Sequence, residues 1–171
     1  FPNLDSQSVG EWWNKKPAGR NAQQIVDMNV PREQVVAFAL YTHEAGVLKV
    51  TAQLYPLKPD EPREARLELQ RAGKWQLAAT SPVHYPGWDA HFRVERWDGS
   101  KNVPYRVRHG EKAMFEGRIR RDPIQKDVIV IANMSCNSSR TIGPRTEIVE
   151  NLRAQDPDVL FFGGDQTYRH T

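Results

Sequence analysis

Cys136 stands in the run Ala132-Asn133-Met134-Ser135-Cys136-Asn137-Ser138-Ser139, Asp165 follows Gly163-Gly164, and Tyr168 lies three residues beyond it. A thiolate, a carboxylate and a phenolate brought together look like metal ligands, because hard ions take such oxygens and metal binding deprotonates a thiol. Each has a plainer use when taken alone. A free cysteine packs as a small buried hydrophobe, a turn aspartate bonds its own backbone, and a tyrosine fills a core. The setting of the first two argues for ligation. Cys136 is flanked by Ser135, Asn137, Ser138 and Ser139, a polar loop, and the glycines before Asp165 allow backbone to approach a ligand closely. A cysteine nucleophile needs a nearby base, and this part of the chain has no histidine before His170. Cys136 is left with metal ligation or a structural role. His170 is either a ligand or an exposed residue.

The two loops each follow a short apolar run, Val128-Ile129-Val130-Ile131 and Val159-Leu160-Phe161-Phe162. The segment between them, Pro144 to Gln155, reads as a helix: proline suits a first turn, and Pro157 ends it. Ile148, Val149 and Leu152 form its predicted buried stripe. Strand, helix, strand is a parallel βαβ unit, whose crossover is right-handed with few exceptions. Ligands bind at the carboxyl ends of such strands, so Cys136 and Asp165 are predicted at one sheet edge. Continuously apolar runs mark strands covered on both faces, which two strands and one helix cannot achieve. The expectation is that the natural chain continues past Thr171.

Upstream the pattern differs. Leu48, Val50, Ala52 and Leu54 alternate with Lys49, Thr51, Gln53 and Tyr55, and Ala65, Leu67 and Leu69 alternate with Arg66, Glu68 and Gln70. The same period of two recurs in Ala90, Phe92 and Val94, in Val103, Tyr105 and Val107, and in Ala113, Phe115, Gly117 and Ile119. It predicts half-buried strands at 34–42, 47–56, 64–70, 74–80, 88–97, 103–109 and 112–120, separated by turn signals such as Ala45-Gly46, Ala72-Gly73 and His109-Gly110. Seven short antiparallel strands suggest an immunoglobulin-like β-sandwich. With Cys136 as the only cysteine, it would be the disulfide-free, fibronectin-like kind. The expected organisation is an irregular N-terminal arm at 1–33, a β-sandwich at 34–122, and the start of an α/β domain at 123–171.

Bulk properties narrow the partners. The 171 residues carry 24 Lys+Arg against 21 Asp+Glu, a formal net charge of +3. The signs interleave, as in Arg63-Glu64-Ala65-Arg66-Leu67-Glu68, which is a solvated strand face rather than a clustered nucleic-acid footprint. No apolar stretch approaches the roughly 20 residues of a membrane helix. The chain opens on Phe1-Pro2 with neither an initiator Met nor an apolar signal core, as a processed protein or a fragment would. His43, His84, His91 and His109 fit no ligand spacing and read as surface or interstrand residues.

Gly164-Asp165-x-x-Tyr168, after Asp156-Pro157-Asp158-Val159-Leu160-Phe161-Phe162 and with Ser135-Cys136 closing the earlier strand, resembles the opening of PhoD-type alkaline phosphatases. These are calcineurin-like metallophosphoesterases, and they too place a β-sandwich before the catalytic α/β domain. The motif resemblance spans residues 127–170. It implies an exported hydrolase of phosphate mono- or diesters that uses iron (Fe3+) and calcium. It further implies that Cys136 is the iron-binding thiolate, Asp165 the carboxylate bridging two metals, and Tyr168 the phenolate on Fe(III). The family's later Asn, His and Asp ligands have no counterpart here, so these 171 residues alone are expected to be inactive.

Two other readings compete. One is a non-catalytic adhesion or carbohydrate-binding sandwich module, with Trp75, Trp88 and Trp97 as a stacking platform. The other is a different α/β hydrolytic or redox domain in which Cys136 is a nucleophile.

Overall fold

Period-two patterning resolves into seven strands: β1 (Val36–Glu44), β2 (Val47–Leu54), β3 (Glu64–Arg71), β4 (Lys74–Pro82), β5 (Asp89–Glu95), β6 (Val103–His109) and β7 (Ala113–Ile119). The computed structural model describes residues 30–85, 87–136 and 145–165. It divides between Asp122 and Pro123 into two compact units.

In the first unit the strands form two antiparallel sheets, ordered β1-β2-β5 and β4-β3-β6-β7. Leu48, Val50, Ala52 and Leu54 of β2, Ala65, Leu67 and Leu69 of β3, and Tyr105 and Val107 of β6 are buried in one cluster. Apolar faces of both sheets therefore share a core, as in a β-sandwich. The chain forms a hairpin in one sheet, crosses to build β3 and β4, returns for β5, and crosses again for β6 and β7. Two of the hairpins turn on Ala45-Gly46 and Ala72-Gly73, all four with φ between 47° and 75°. Positive φ at both central residues is the turn whose twist matches the strands it joins.

Several boundaries differ from the sequence reading for local reasons. Arg32–Gln34 forms a short 3-10 turn, so β1 begins at Val36 rather than at residue 34. Trp88 and Arg96, with φ of 56° and 52°, bracket β5 and shorten the predicted 88–97 strand. At Gly117 an added Cβ would come within 2.6 Å of the Tyr105 ring, so only glycine lets β7 lie against that tyrosine. The Tyr105 hydroxyl donates to the Ala39 carbonyl at 3.3 Å, and burial pushes its pKa up to about 12.

Arg32 clamps Glu61. Its Nε donates to Oε1 at 2.6 Å and a terminal nitrogen donates to Oε2 at 2.5 Å. The Lys58 amide donates to Oε2 at 2.7 Å. Burial alone would raise the Glu61 pKa, but the Arg32 and Lys58 hydrogen bonds and the Arg32 charge together hold it below its ordinary value. The unfolded carboxyl thus binds protons more readily than the folded one. The stabilisation is complete above about pH 5 and is lost as pH falls through the folded value. Melting curves should show a midpoint that drops on acidification through this range. Glu61→Gln should cost about 1–2 kcal/mol at neutral pH and flatten that acid dependence. A variant that keeps the wild-type pH profile would remove Glu61 from the explanation.

The second unit contains β8 (Ile131–Met134), α1 (Thr146–Gln155) and β9 (Val159–Phe162). β8 and β9 pair in parallel, with Ile131 opposite Val159 and Met134 opposite Phe162. The first strand begins at Ile131, not at the predicted residue 128. Asp158 is the cause: its Oδ2 accepts from the Val130 amide at 3.0 Å and its carboxylate pairs with Lys126 Nζ at 2.7 Å. The approach to the strand is thereby tied by a side chain before the ladder starts. α1 ends where Asp156 turns left-handed and its amide reaches the Leu152 and Arg153 carbonyls, one residue before Pro157. The expected buried stripe is not buried. Ile148 and Val149 are 50% and 41% exposed, and no residue of α1 is buried. No helix among the described residues is long and apolar enough to cross a membrane.

Candidate metal centre

Parallel pairing of β8 with β9 sends two loops off the same end of the sheet, Ser135-Cys136 from one strand and Gly163-Gly164-Asp165 from the other. Backbone bonds hold them together. The Gly163 amide donates to the Met134 carbonyl at 2.9 Å, and the Cys136 amide to the Gly164 carbonyl at 3.4 Å. An added Cβ at Gly163 would meet Asn133 Oδ1 at 3.0 Å, so the absence of a side chain helps the loops approach.

Cys136 Sγ lies 3.8 Å from Asp165 Oδ2 and 3.2 Å from Ser135 Oγ. Both residues are exposed. Their backbones share an uncommon feature: φ is 57° at Cys136 and 55° at Asp165. Aspartate tolerates this region, whereas cysteine is rarely found there. Such conformations persist where the surroundings impose them, often at binding sites. Tyr168 and His170 lie outside the described residues.

The donor set can be tested against the two metals the resemblance implies. Two donors bonded to one ion at about 2.0–2.3 Å each stand less than about 4.5 Å apart, and the Sγ–Oδ2 separation is within that limit. A sulfur and a carboxylate oxygen together suit an ion that accepts both, as iron does. Calcium takes six to eight oxygens. Of these two side chains only Asp165 offers any, so residues described here would supply a calcium ion with little of its shell.

The tryptophans do not make a platform. Trp88 and Trp97 are 7% and 8% exposed and belong to the core, while the Arg106 guanidinium covers Trp75 at 4.5 Å. Two histidines follow the sequence reading: His109 Nε2 sits 2.7 Å from the Pro62 carbonyl, and His43 Nε2 sits 3.0 Å from that of Arg120. The other two are exposed, as that reading expects, but they lie together. His84 and His91 converge on Asp89, a grouping that sequence spacing alone did not reveal. The available signal was Asp89-x-His91, which places both residues on one face of a strand. No protein-family model matches the chain, and no curated protein matches it.

Proposed function

We propose that residues 123–171 open the catalytic α/β domain of a metal-dependent phosphoric ester hydrolase resembling PhoD-type alkaline phosphatases, preceded by a fibronectin-like sandwich. The observation carrying this reading is the approach of Cys136 Sγ to Asp165 Oδ2, 3.8 Å apart, where two parallel strands end. Exposed apolar residues on the sheet add support. Ile131, Leu160 and Phe161 are 63%, 49% and 57% exposed, as strands of a larger α/β sheet would be without their neighbours.

On this reading the Cys136 thiolate and Asp165 carboxylate would hold iron, with the Tyr168 phenolate as a further ligand by resemblance. For calcium, the second ion the resemblance implies, Asp165 would supply only a small part of the oxygen shell. Ser135 Oγ, beside Sγ, orients the thiolate, and Gly163 keeps the two loops close. The chemistry a bound metal would supply here is positive charge against the oxygens of the transferred phosphoryl group and a lowered pKa for a bound water. The substrate is a phosphate mono- or diester, and the protein is exported. The test is metal analysis of the full-length protein together with its hydrolysis of p-nitrophenyl phosphate and bis(p-nitrophenyl) phosphate. Bound iron and turnover of either ester are expected. Protein free of transition metal and inert to both esters would end the assignment.

A further inference from the structure

We propose a second metal site, independent of the phosphatase reading, in the sandwich: His84, Asp89 and His91 bind one divalent ion of the zinc class. His84 Nδ1 lies 3.4 Å from Asp89 Oδ1, and His91 Nε2 lies 3.5 Å from Asp89 Oδ2. The carboxylate presents one oxygen to each imidazole, and the three ligand atoms all fall within 4.8 Å of one another. These separations are longer than the 2.7–3.2 Å of ordinary hydrogen bonds. Each is close to the roughly 3.3 Å between two donors that stand about 2.0–2.1 Å from one tetrahedral ion. The two run to different oxygens of Asp89, so a single ion would draw one carboxylate oxygen and both imidazoles together.

The site is built into the fold. Asp89 and His91 are two apart on β5 and share a face. His84 reaches them across a tight connection in which its amide donates to the Asp89 carbonyl at 2.8 Å and its carbonyl accepts from Trp88 at 2.7 Å. Gln53 Nε2 fastens the same connection through the Gly87 carbonyl at 2.8 Å. Gly87 leaves room for the Asp89 carboxylate, since a Cβ there would stand 3.2 Å from Oδ2. The His91 amide donates to Ser81 Oγ at 3.0 Å.

Thr51, the cross-strand neighbour of His91, has its Oγ1 3.1 Å from His91 Nδ1. When Nδ1–H donates to Thr51, the Nε2 lone pair faces a carboxylate oxygen, an arrangement that a cation between them stabilises. A ligating histidine held through its other ring nitrogen is the usual supporting arrangement in metal sites. Two imidazoles and a carboxylate suit zinc, copper or nickel rather than calcium or magnesium. With His84 and His91 about half exposed, positions beyond the three protein ligands remain open to solvent, as in catalytic rather than structural zinc sites.

The test uses a tag-free chain carrying Cys136→Ser, so that the other candidate ligands do not contribute a thiolate. Calorimetric titration with Zn2+ should show one equivalent bound with micromolar affinity, and titration with Ca2+ should show none. His84→Ala, His91→Ala and Asp89→Asn should each weaken Zn2+ binding at least tenfold, and Thr51→Val should weaken it several-fold. His84, His91 and Thr51 are exposed and Asp89 is half-buried, and far-UV circular dichroism checks that the variants fold. Histidine ring NMR signals read the same event in the unmutated triad: Zn2+ should shift those of His84 and His91 and leave those of His43 and His109 in place. Unshifted His84 and His91 rings, or Zn2+ affinity indifferent to both alanine variants, would overturn the site.

Discussion

Asp165→Ala in the full-length protein is expected to remove most of the bound iron and to lower phosphate-ester turnover by a hundredfold or more, about 2.7 kcal/mol of transition-state stabilisation. The size follows from the carboxylate's position. It sits 3.8 Å from the Cys136 sulfur, and in the proposed centre it would be the charged oxygen ligand of the iron. Phosphoryl transfer depends mainly on charge stabilisation and positioning, so losing a ligand that holds the metal would damage both. Cys136→Ala would remove the sulfur donor of the proposed centre and should lower iron occupancy with a smaller loss of turnover. Tyr168→Phe should abolish tyrosinate-to-iron absorption in the visible range while the fold is retained. Asp165→Asn is the control for the backbone, because asparagine also tolerates the φ of 55° found there. If Asn and Ala variants lose iron alike, charge is responsible. Full turnover and full iron in Asp165→Ala would remove Asp165 from the metal centre and withdraw the phosphatase reading.

Phe92→Ala should be the most damaging single truncation in the sandwich, costing about 3–5 kcal/mol. Phe92 is 2% exposed and stands opposite Val50 in the β2–β5 ladder, where Val50 is 1% exposed. Removing the ring leaves a cavity that paired strands cannot close by shifting, since their register is fixed by the ladder. Domain stabilities are typically only about 5–15 kcal/mol, so the variant should be close to unfolding at room temperature. Urea denaturation followed by tryptophan fluorescence measures it, because buried Trp88 and Trp97 report loss of the core. Phe38→Ala is the matched comparison: the ring is 46% exposed, and the expected cost is below about 1.5 kcal/mol. Equal losses for the two would mean that burial does not set the cost.

The sandwich strands were legible because one face of each is wet. Leu48, Val50, Ala52 and Leu54 alternate with polar partners in the sequence, and all four are buried in the core. The parallel pair was legible as apolar runs, but its starting residue was not. Val128, Ile129 and Val130 look like strand, yet the ladder begins only after Asp158 has taken the Val130 amide, a contact between residues 28 apart. Helix α1 was legible from period and proline placement, while the exposure of Ile148 and Val149 depends on what surrounds them. Trp88 and Trp97 flank an alternating strand, where a tryptophan is more often core than platform, and tertiary packing buries both. Cys136 and Asp165 were expected at one sheet edge from strand direction alone. Pro86-Gly87 announces a turn in the sequence, but the meeting of His84 and His91 on Asp89 depends also on a φ of 56° at Trp88, which no residue pattern announces.

The left-handed backbone at Cys136 sets folding against ligation. A non-glycine residue held at such an angle costs about 1 kcal/mol or more, and glycine at the same position would be relieved of it. Glycine would also delete the sulfur that faces Asp165. Selection for heat resistance alone would therefore favour the loss of this thiol, with one substitution improving the scaffold and disarming it. In the proposed centre the sulfur would be the reason to carry cysteine at this backbone angle.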